Sequence, residues 1–291
     1  MSSTHLFTLP IPSLSPSTPS TSTGTFTCTT HPSNPLIYIL TFSSPPDNRL
    51  TTPFLSTYLH ALAILAHRHP PGLLITTSAI PKFYSNGLDL DHTHATPGFL
   101  ETQLYPLLRR LLTFPMPTLA LLNGHAFAGG CLLAMHHDYR VMNGKRGYLC
   151  LNEIDFGMLI ETPLMSAVRE KTRPTAFRAL VLEGKRFTAE LALAEGLVDA
   201  VGGTVDEAVE WAGGGKGKEK PAGLWVLGKS GVFGRMREEM YRQSLDALRD
   251  PSATKIWRER VELEKGKEAR EAETRVVEWE GKQGGGSKAK L

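Results

Sequence analysis

The residue types best suited to chemistry lie in the stretch Asn123-Gly124-His125-Ala126-Phe127-Ala128-Gly129-Gly130-Cys131-Leu132-Leu133-Ala134-Met135. An apolar run, Thr118 to Leu122, reads as a buried strand. It breaks at an Asn-Gly turn and resumes as Cys131 to Met135, which reads as a helix. Two adjacent glycines stand where that helix starts. Glycine lets a ligand approach the backbone, because no Cβ intervenes. The first amides of a helix lack intrahelical acceptors and lie at the positive end of its dipole. A carbonyl oxygen held there is stabilised as it gains negative charge. A second segment, Phe83-Tyr84-Ser85-Asn86-Gly87-Leu88-Asp89-Leu90, follows another apolar strand, Gly72 to Thr77. Two such turns can aim two amides at one oxygen, an oxyanion hole made of main chain alone. The same pattern also serves plain α/β packing.

The elements that must position these turns alternate. Leu36 to Phe42 reads as a strand, and Thr52-Pro53 opens a helix to about His69 with Leu55, Leu59, Leu62 and Leu65 as its stripe. Strand 72–77, loop 80–98, helix 99–113 and strand 117–122 follow. Further strands are expected at 139–142, 147–151 and 197–201, and helices at 162–171, 174–183 and 189–195. Thr188 is an N-cap and Gly196 a stop. Strand–helix alternation of this kind predicts an α/β fold with a parallel sheet. Residues 1–35, rich in Ser, Thr and Pro, read as a loose arm with Leu6 to Leu9 able to pair. Residues 36–203 form the core, 204–280 a helical C-terminal region, and 281–291 a flexible tail.

Composition excludes several classes. The formal charge of +3 on 291 residues carries no concentrated basic face, so a nucleic-acid partner is not expected. No apolar run reaches the roughly 18 residues that span a bilayer, and no secretory signal is visible. Three widely spaced cysteines, Cys28, Cys131 and Cys150, suggest a reducing compartment. The ten histidines lack metal-ligand spacing, so no metal is expected.

Five marks in order make the chain resemble the crotonase, or enoyl-CoA hydratase/isomerase, superfamily. They are Asn48-Arg49-Leu50-Thr51; Phe83 to Leu90; Asn123 to Met135; Asn152-Glu153-Ile154 with Gly157; and Gly184 to Glu190 with Glu195-Gly196-Leu197-Val198-Asp199. The resemblance implies a spiral of ββα units with a helical C-terminal region, assembled as a homotrimer or homohexamer. It also implies an acyl-CoA substrate, with coenzyme A part of that substrate and no separate cofactor. Carried over, the two oxyanion amides are those of Leu88 and Gly129. Asn86, Gly87, Asp89, Gly130 and Leu132 line the substrate site, and Lys82 is placed to reach a CoA phosphate. Trp257, Arg258 and Arg260 are candidates for a CoA contact from a neighbouring subunit. Asp89 also reads as an acceptor for turn amides.

The hydratases of this superfamily use two glutamates, and one of them corresponds to Leu132, which cannot polarise water. The other corresponds to Glu153. A single carboxylate can still move a proton between C2 and C4, shifting a double bond from the 3- to the 2-position. Glu161 competes for this role, because it matches the glutamate of peroxisomal-type isomerases. The base is Glu153, Glu161 or neither of them, and Asp155 is a weaker pocket candidate. Glu153 also reads as an exposed strand-end carboxylate, and Glu161 as a carboxylate at a helix start. The expectation is an enoyl-CoA delta isomerase of peroxisomal type. Hydration, dienoyl-CoA isomerisation, thioester hydrolysis and a silent acyl-CoA-binding role are the alternatives. Ala289-Lys290-Leu291 resembles a peroxisomal address read by an import receptor.

Overall fold

The computed structural model describes residues 3–14, 22–214 and 223–284. The chain divides into two units, Met1–Arg249 and Asp250–Leu291. Among the described residues ten strands run along the first: β1 (His5–Pro12), β2 (Ser22–His31), β3 (Asn34–Ser43), β4 (Leu73–Ser78), β5 (Phe83–Ser85), β6 (Thr118–Leu122), β7 (His125–Phe127), β8 (Tyr139–Met142), β9 (Leu149–Cys150) and β10 (Ala200–Val201). Its helices are α1 (Thr52–Arg68), α2 (Leu90–Ala95), α3 (Tyr105–Leu112), α4 (Gly129–Met135), α5 (Thr162–Lys171), α6 (Pro174–Leu182), α7 (Ala189–Ala194), α8 (Val205–Ala212), α9 (Val232–Met240) and α10 (Arg242–Arg249).

Seven strands form one sheet in the order β1-β2-β3-β4-β6-β8-β10, and β5-β7-β9 form a small second sheet. The first three strands of the large sheet pair antiparallel. The rest of it is parallel, as is the small sheet. Three inner strands of the large sheet each lead to a short strand of the small one and then to helix: β4, β5, α2; β6, β7, α4; β8, β9, α5. This is the expected ββα repeat. Every residue of β4 and β6 is buried, which accounts for the apolar runs Leu73 to Ile75 and Leu119 to Leu122 within them. Leu74, Ala120 and Leu122 face the main core, where Phe26, Phe42, Phe54 and Tyr58 pack ring against ring. Ile75, Leu119 and Leu121 face the other way, onto Ala208, Val209 and Ala212 of α8.

Three expectations need correction. Within 1–35 the described residues are not a loose arm: β1, which contains the Leu6 to Leu9 segment expected to pair, pairs with β2 from His5↔Thr29 to Pro12↔Ser22, and β2 pairs onward with β3. Phe26 and Cys28 are buried while Thr25 and Thr29 are less so. Threonine suits a half-buried strand, so the Ser/Thr content hid a period-two pattern. The loop expected over 80–98 contains β5 and α2. The C-terminal boundary also moves. Residues 204–249 belong with the core unit, held by α8 and by Arg237, which donates to the carbonyls of Leu111 and Phe114.

Among the described residues the second unit contains one helix, α11 (Ser252–Gly284), about 50 Å long at 1.5 Å per residue. Its acidic and basic residues are interspersed, and Lys265 pairs with Glu262 one turn away. Ala289, Lys290 and Leu291 lie outside the described residues. Among the described residues, no helix is long and apolar enough to cross a membrane, and no group of three or more His, Cys, Asp or Glu could hold a metal ion.

Candidate active site

The first glycine turn leaves β5 at Ser85. Gly87 has φ +83°, a conformation glycine adopts at little cost. The turn is stitched to the 47–50 segment. Asn48 Nδ2 donates to Tyr84 O at 3.0 Å and to Ser78 Oγ at 2.6 Å, and Ser85 Oγ donates back to Asn48 O at 2.8 Å. Leu50 N donates to Gly87 O at 2.9 Å. The Leu88 N–H shares a trans peptide with that carbonyl, so it points the opposite way, away from Leu50. Asp89 caps α2, its Oδ1 accepting from His92 N at 2.9 Å.

The second turn follows β7. Ala128 carries φ 49°, ψ −122°, an uncommon conformation for a residue with a side chain, and Gly129 then opens α4. Its N–H is the first of the helix and has no intrahelical acceptor. The two turns touch. A Cβ on Gly87 would stand 3.0 Å from Gly129 N, and a Cβ on Gly129 would stand 3.3 Å from Leu88 N. A Cβ on Gly130 would stand 2.3 Å from Ser85 O, so only glycine lets α4 seat against β5.

Beside these turns lies a cavity of about 290 Å3, lined by Leu88, Ala128 and Gly129, by Arg49 and Asn86, by Asn152 and Glu153, and by the apolar side chains of Leu90, Phe127, Phe156 and Met158. Glu153 opens a 3-10 turn, Glu153–Phe156, just after β9. Its Oε2 is buried with no hydrogen-bond partner. Burial pushes its carboxyl up to about 7, because the charged form loses solvation. Among the lining residues it is the one carboxylate, set against main-chain donors and an apolar wall.

The remaining sequence candidates are distributed as follows. Asn86 lines the cavity, and its Nδ2 donates to Asp47 Oδ2 at 2.7 Å. Gly87 and Gly130 shape the turns from behind. Leu132 is 2 % exposed and belongs to the main core, outside the lining. Glu161 precedes α5, its carbonyl accepting from Leu164 and Met165 N, and it is not a lining residue. Nor are Asp155, exposed near Gly184, and Lys82, exposed with its ammonium 5.3 Å from the centre of the Phe83 ring. Trp257, Arg258 and Arg260 lie on α11 in the other unit. Sequence reasoning missed the lining roles of Arg49, Phe127, Phe156 and Met158. Arg49 stood within a quoted motif, and the other three flank Gly129 and Gly157.

Three main-sheet strands each feeding a small-sheet strand, with a crevice at the glycine turns, define the crotonase type of α/β protein. The chain belongs to the enoyl-CoA hydratase/isomerase family, whose pattern matches residues 33–212. It is 36% identical over 180 residues to the peroxisomal enoyl-CoA delta isomerase 1 of Arabidopsis thaliana, covering 60% of this chain and 72% of that one. It is 32% identical over 215 residues to the peroxisomal enoyl-CoA delta isomerase 2 of the same plant, covering 70% and 88%. A solved enoyl-CoA hydratase from Mycobacterium marinum superposes with a TM-score of 0.63 at 24% identity, over 78% of this chain and 95% of that one. That likeness is one of fold.

Proposed function

We propose that the protein is an enoyl-CoA delta isomerase, moving a double bond from the 3- to the 2-position of an unsaturated fatty acyl-CoA. In this reading the thioester oxygen accepts from the N–H groups of Leu88 and Gly129. The Glu153 carboxylate removes a proton from C2. The C2–H electron pair becomes the C1=C2 bond of a dienolate, and the charge moves onto the thioester oxygen. Glu153 then returns the proton to C4, leaving the double bond between C2 and C3. A donor of this kind is worth on the order of 3 kcal/mol to the transition state. A base near 7 is matched to such a transfer at neutral pH.

One observation carries the reading: a single carboxylate, Glu153, with an unpartnered buried oxygen beside the two glycine turns. Hydration would call for a second acid to handle water, and Leu132 at the corresponding position is apolar and packed in the core. The names of the plant relatives favour the same reaction. The deciding assay follows a trans-3-enoyl-CoA to its conjugated 2-enoyl isomer. If the chain only hydrates a 2-enoyl-CoA, the proposal is wrong. Residence in peroxisomes, through an import receptor reading Ala289-Lys290-Leu291, is part of the same proposal and is favoured by the peroxisomal relatives. A fluorescent fusion lacking those three residues should stay cytosolic. Assembly as a homotrimer or homohexamer is proposed from the family and is read by solution mass.

A further inference from the structure

We propose that Arg49 is a positioning residue for the first oxyanion donor, and this rests on the function proposed above. Arg49 lines the cavity and is spread over the first glycine turn. Its Nη1 donates to Asn86 O at 3.1 Å and to Leu88 O at 3.0 Å. Its Nε donates to Asp47 Oδ2 at 3.0 Å. The same Asp47 oxygen accepts from Asn86 Nδ2, and Asp47 O accepts from Asn86 N at 3.0 Å. Leu50 N holds the carbonyl between, that of Gly87. The carbonyls of residues 86, 87 and 88 are thus all fixed by residues 49 and 50.

The Leu88 N–H is the group that this arrangement controls. It sits in the peptide after Gly87, the residue of the turn with the widest conformational freedom. Leu50 N fixes the oxygen of that peptide, and Arg49 fixes the peptide planes before and after it. Without Arg49 the Leu88 N–H can swing about Gly87 and lose its alignment with Gly129. The residue type matters. A planar guanidinium presents donors in a rigid fork and can serve two carbonyls and a carboxylate together, whereas a lysine ammonium is a point charge on a flexible stem. The guanidinium therefore acts here through its geometry and not only its charge.

The test compares full-length wild type with Arg49→Lys and Arg49→Met. Three quantities are read: kcat and KM on a trans-3-enoyl-CoA, the apparent acidity of bound acetoacetyl-CoA from its enolate absorbance, and the thermal midpoint. Both variants should lose about tenfold to a hundredfold in kcat, the scale of a small misplacement of a reacting group. KM should move by less than about threefold. The bound enolate should become harder to form by about one to two pH units, the same loss expressed as acidity. If Arg49→Met fails to fold, Asp47→Ala removes the acceptor of the guanidinium Nε while leaving its carbonyl contacts, and a smaller loss in the same direction is expected. The proposal is overturned if Arg49→Lys behaves as wild type, if kcat is unchanged in every variant, or if the loss falls on KM alone. If wild type neither isomerises the substrate nor stabilises the enolate, the functional reading fails as well. If wild type does both and the variants match it, only the role of Arg49 falls.

Discussion

Lys171 Nζ lies 2.8 Å from the carbonyl oxygen of Met135 and 2.8 Å from that of His137. It thereby closes the C-terminal end of α4, the helix whose first residue is Gly129. The ammonium is buried, and burial holds its pKa well below the usual lysine range. Lys171→Met should leave the Met135 carbonyl unsatisfied, while the His137 carbonyl keeps Arg140 Nη1 at 3.0 Å, and cost about 2 kcal/mol of stability, within the range for one orphaned buried acceptor. Denaturant unfolding of both forms measures the difference. A loss below about 1 kcal/mol would show that α4 does not depend on this cap.

Glu153 must be ionised to accept a proton, and its carboxyl sits near 7. Isomerase kcat/KM should therefore rise with pH through about 7, fall about tenfold per unit well below it, and level off above about 8. Glu153→Gln should remove activity by at least about a thousandfold, while Glu161→Gln should stay within about fivefold. The reverse pattern in a rate-against-pH series would move the base to Glu161.

Two buried histidines make the fold sensitive to acid. His136 Nδ1 donates to Leu132 O at 2.7 Å, and His137 Nδ1 donates to Leu133 O at 2.9 Å. Burial lowers each ring from 6.5 to about 3. Between about pH 6.5 and 4.5 both are protonated only when unfolded, so the unfolded chain binds two more protons there. Glu153, raised from 4.5 to about 7 by burial, is protonated only when folded, which offsets one of them. From these three groups, stability should fall by about 1.4 kcal/mol for each pH unit of acidification in this window. In Glu153→Gln the opposing proton is gone, and the slope should approach about 2.7 kcal/mol per unit. Urea midpoints at half-unit pH steps read both slopes, and equal slopes would contradict the burial of Glu153.

Gly130→Ala places a methyl 2.3 Å from Ser85 O, a backbone atom that cannot swing aside. The helix must lift from β5, at a cost of about 3 kcal/mol. Because Gly129 moves with it, kcat should drop by about a hundredfold or more. Activity and unfolding measurements on purified protein test both. A variant with wild-type kcat would mean that the seating of α4 does not set the Gly129 N–H.

Much of the site was legible because its chemistry is local. The glycines of the two turns, the helix beginning near Gly129 and the Thr188 cap are each readable within a few residues. Thr188 Oγ1 accepts from Leu191 N as expected. What was hidden depends on contacts across long sequence separations. Nothing near Arg49 announces that its guanidinium will meet carbonyls at 86 and 88. The exclusion of Glu161 from the cavity lining follows from where α5 starts in space. The strand β2 was masked by Ser and Thr, whose burial alternates because β3 lies beside it. The membership of 204–249 in the core unit turns on Arg237 reaching carbonyls more than a hundred positions away.

The small sheet β5-β7-β9 has a consequence for how this crevice can change. Each of its strands ends just before one working piece: Asn86 to Leu88, Ala128-Gly129, and Asn152-Glu153. Neighbouring strands keep a separation of about 4.8 Å fixed by their ladder hydrogen bonds. Three fragments distant along the polypeptide are thereby mounted on a common ruler. Their side chains can be exchanged one at a time while the gauge between the proposed proton acceptor and the proposed amide donors stays constant.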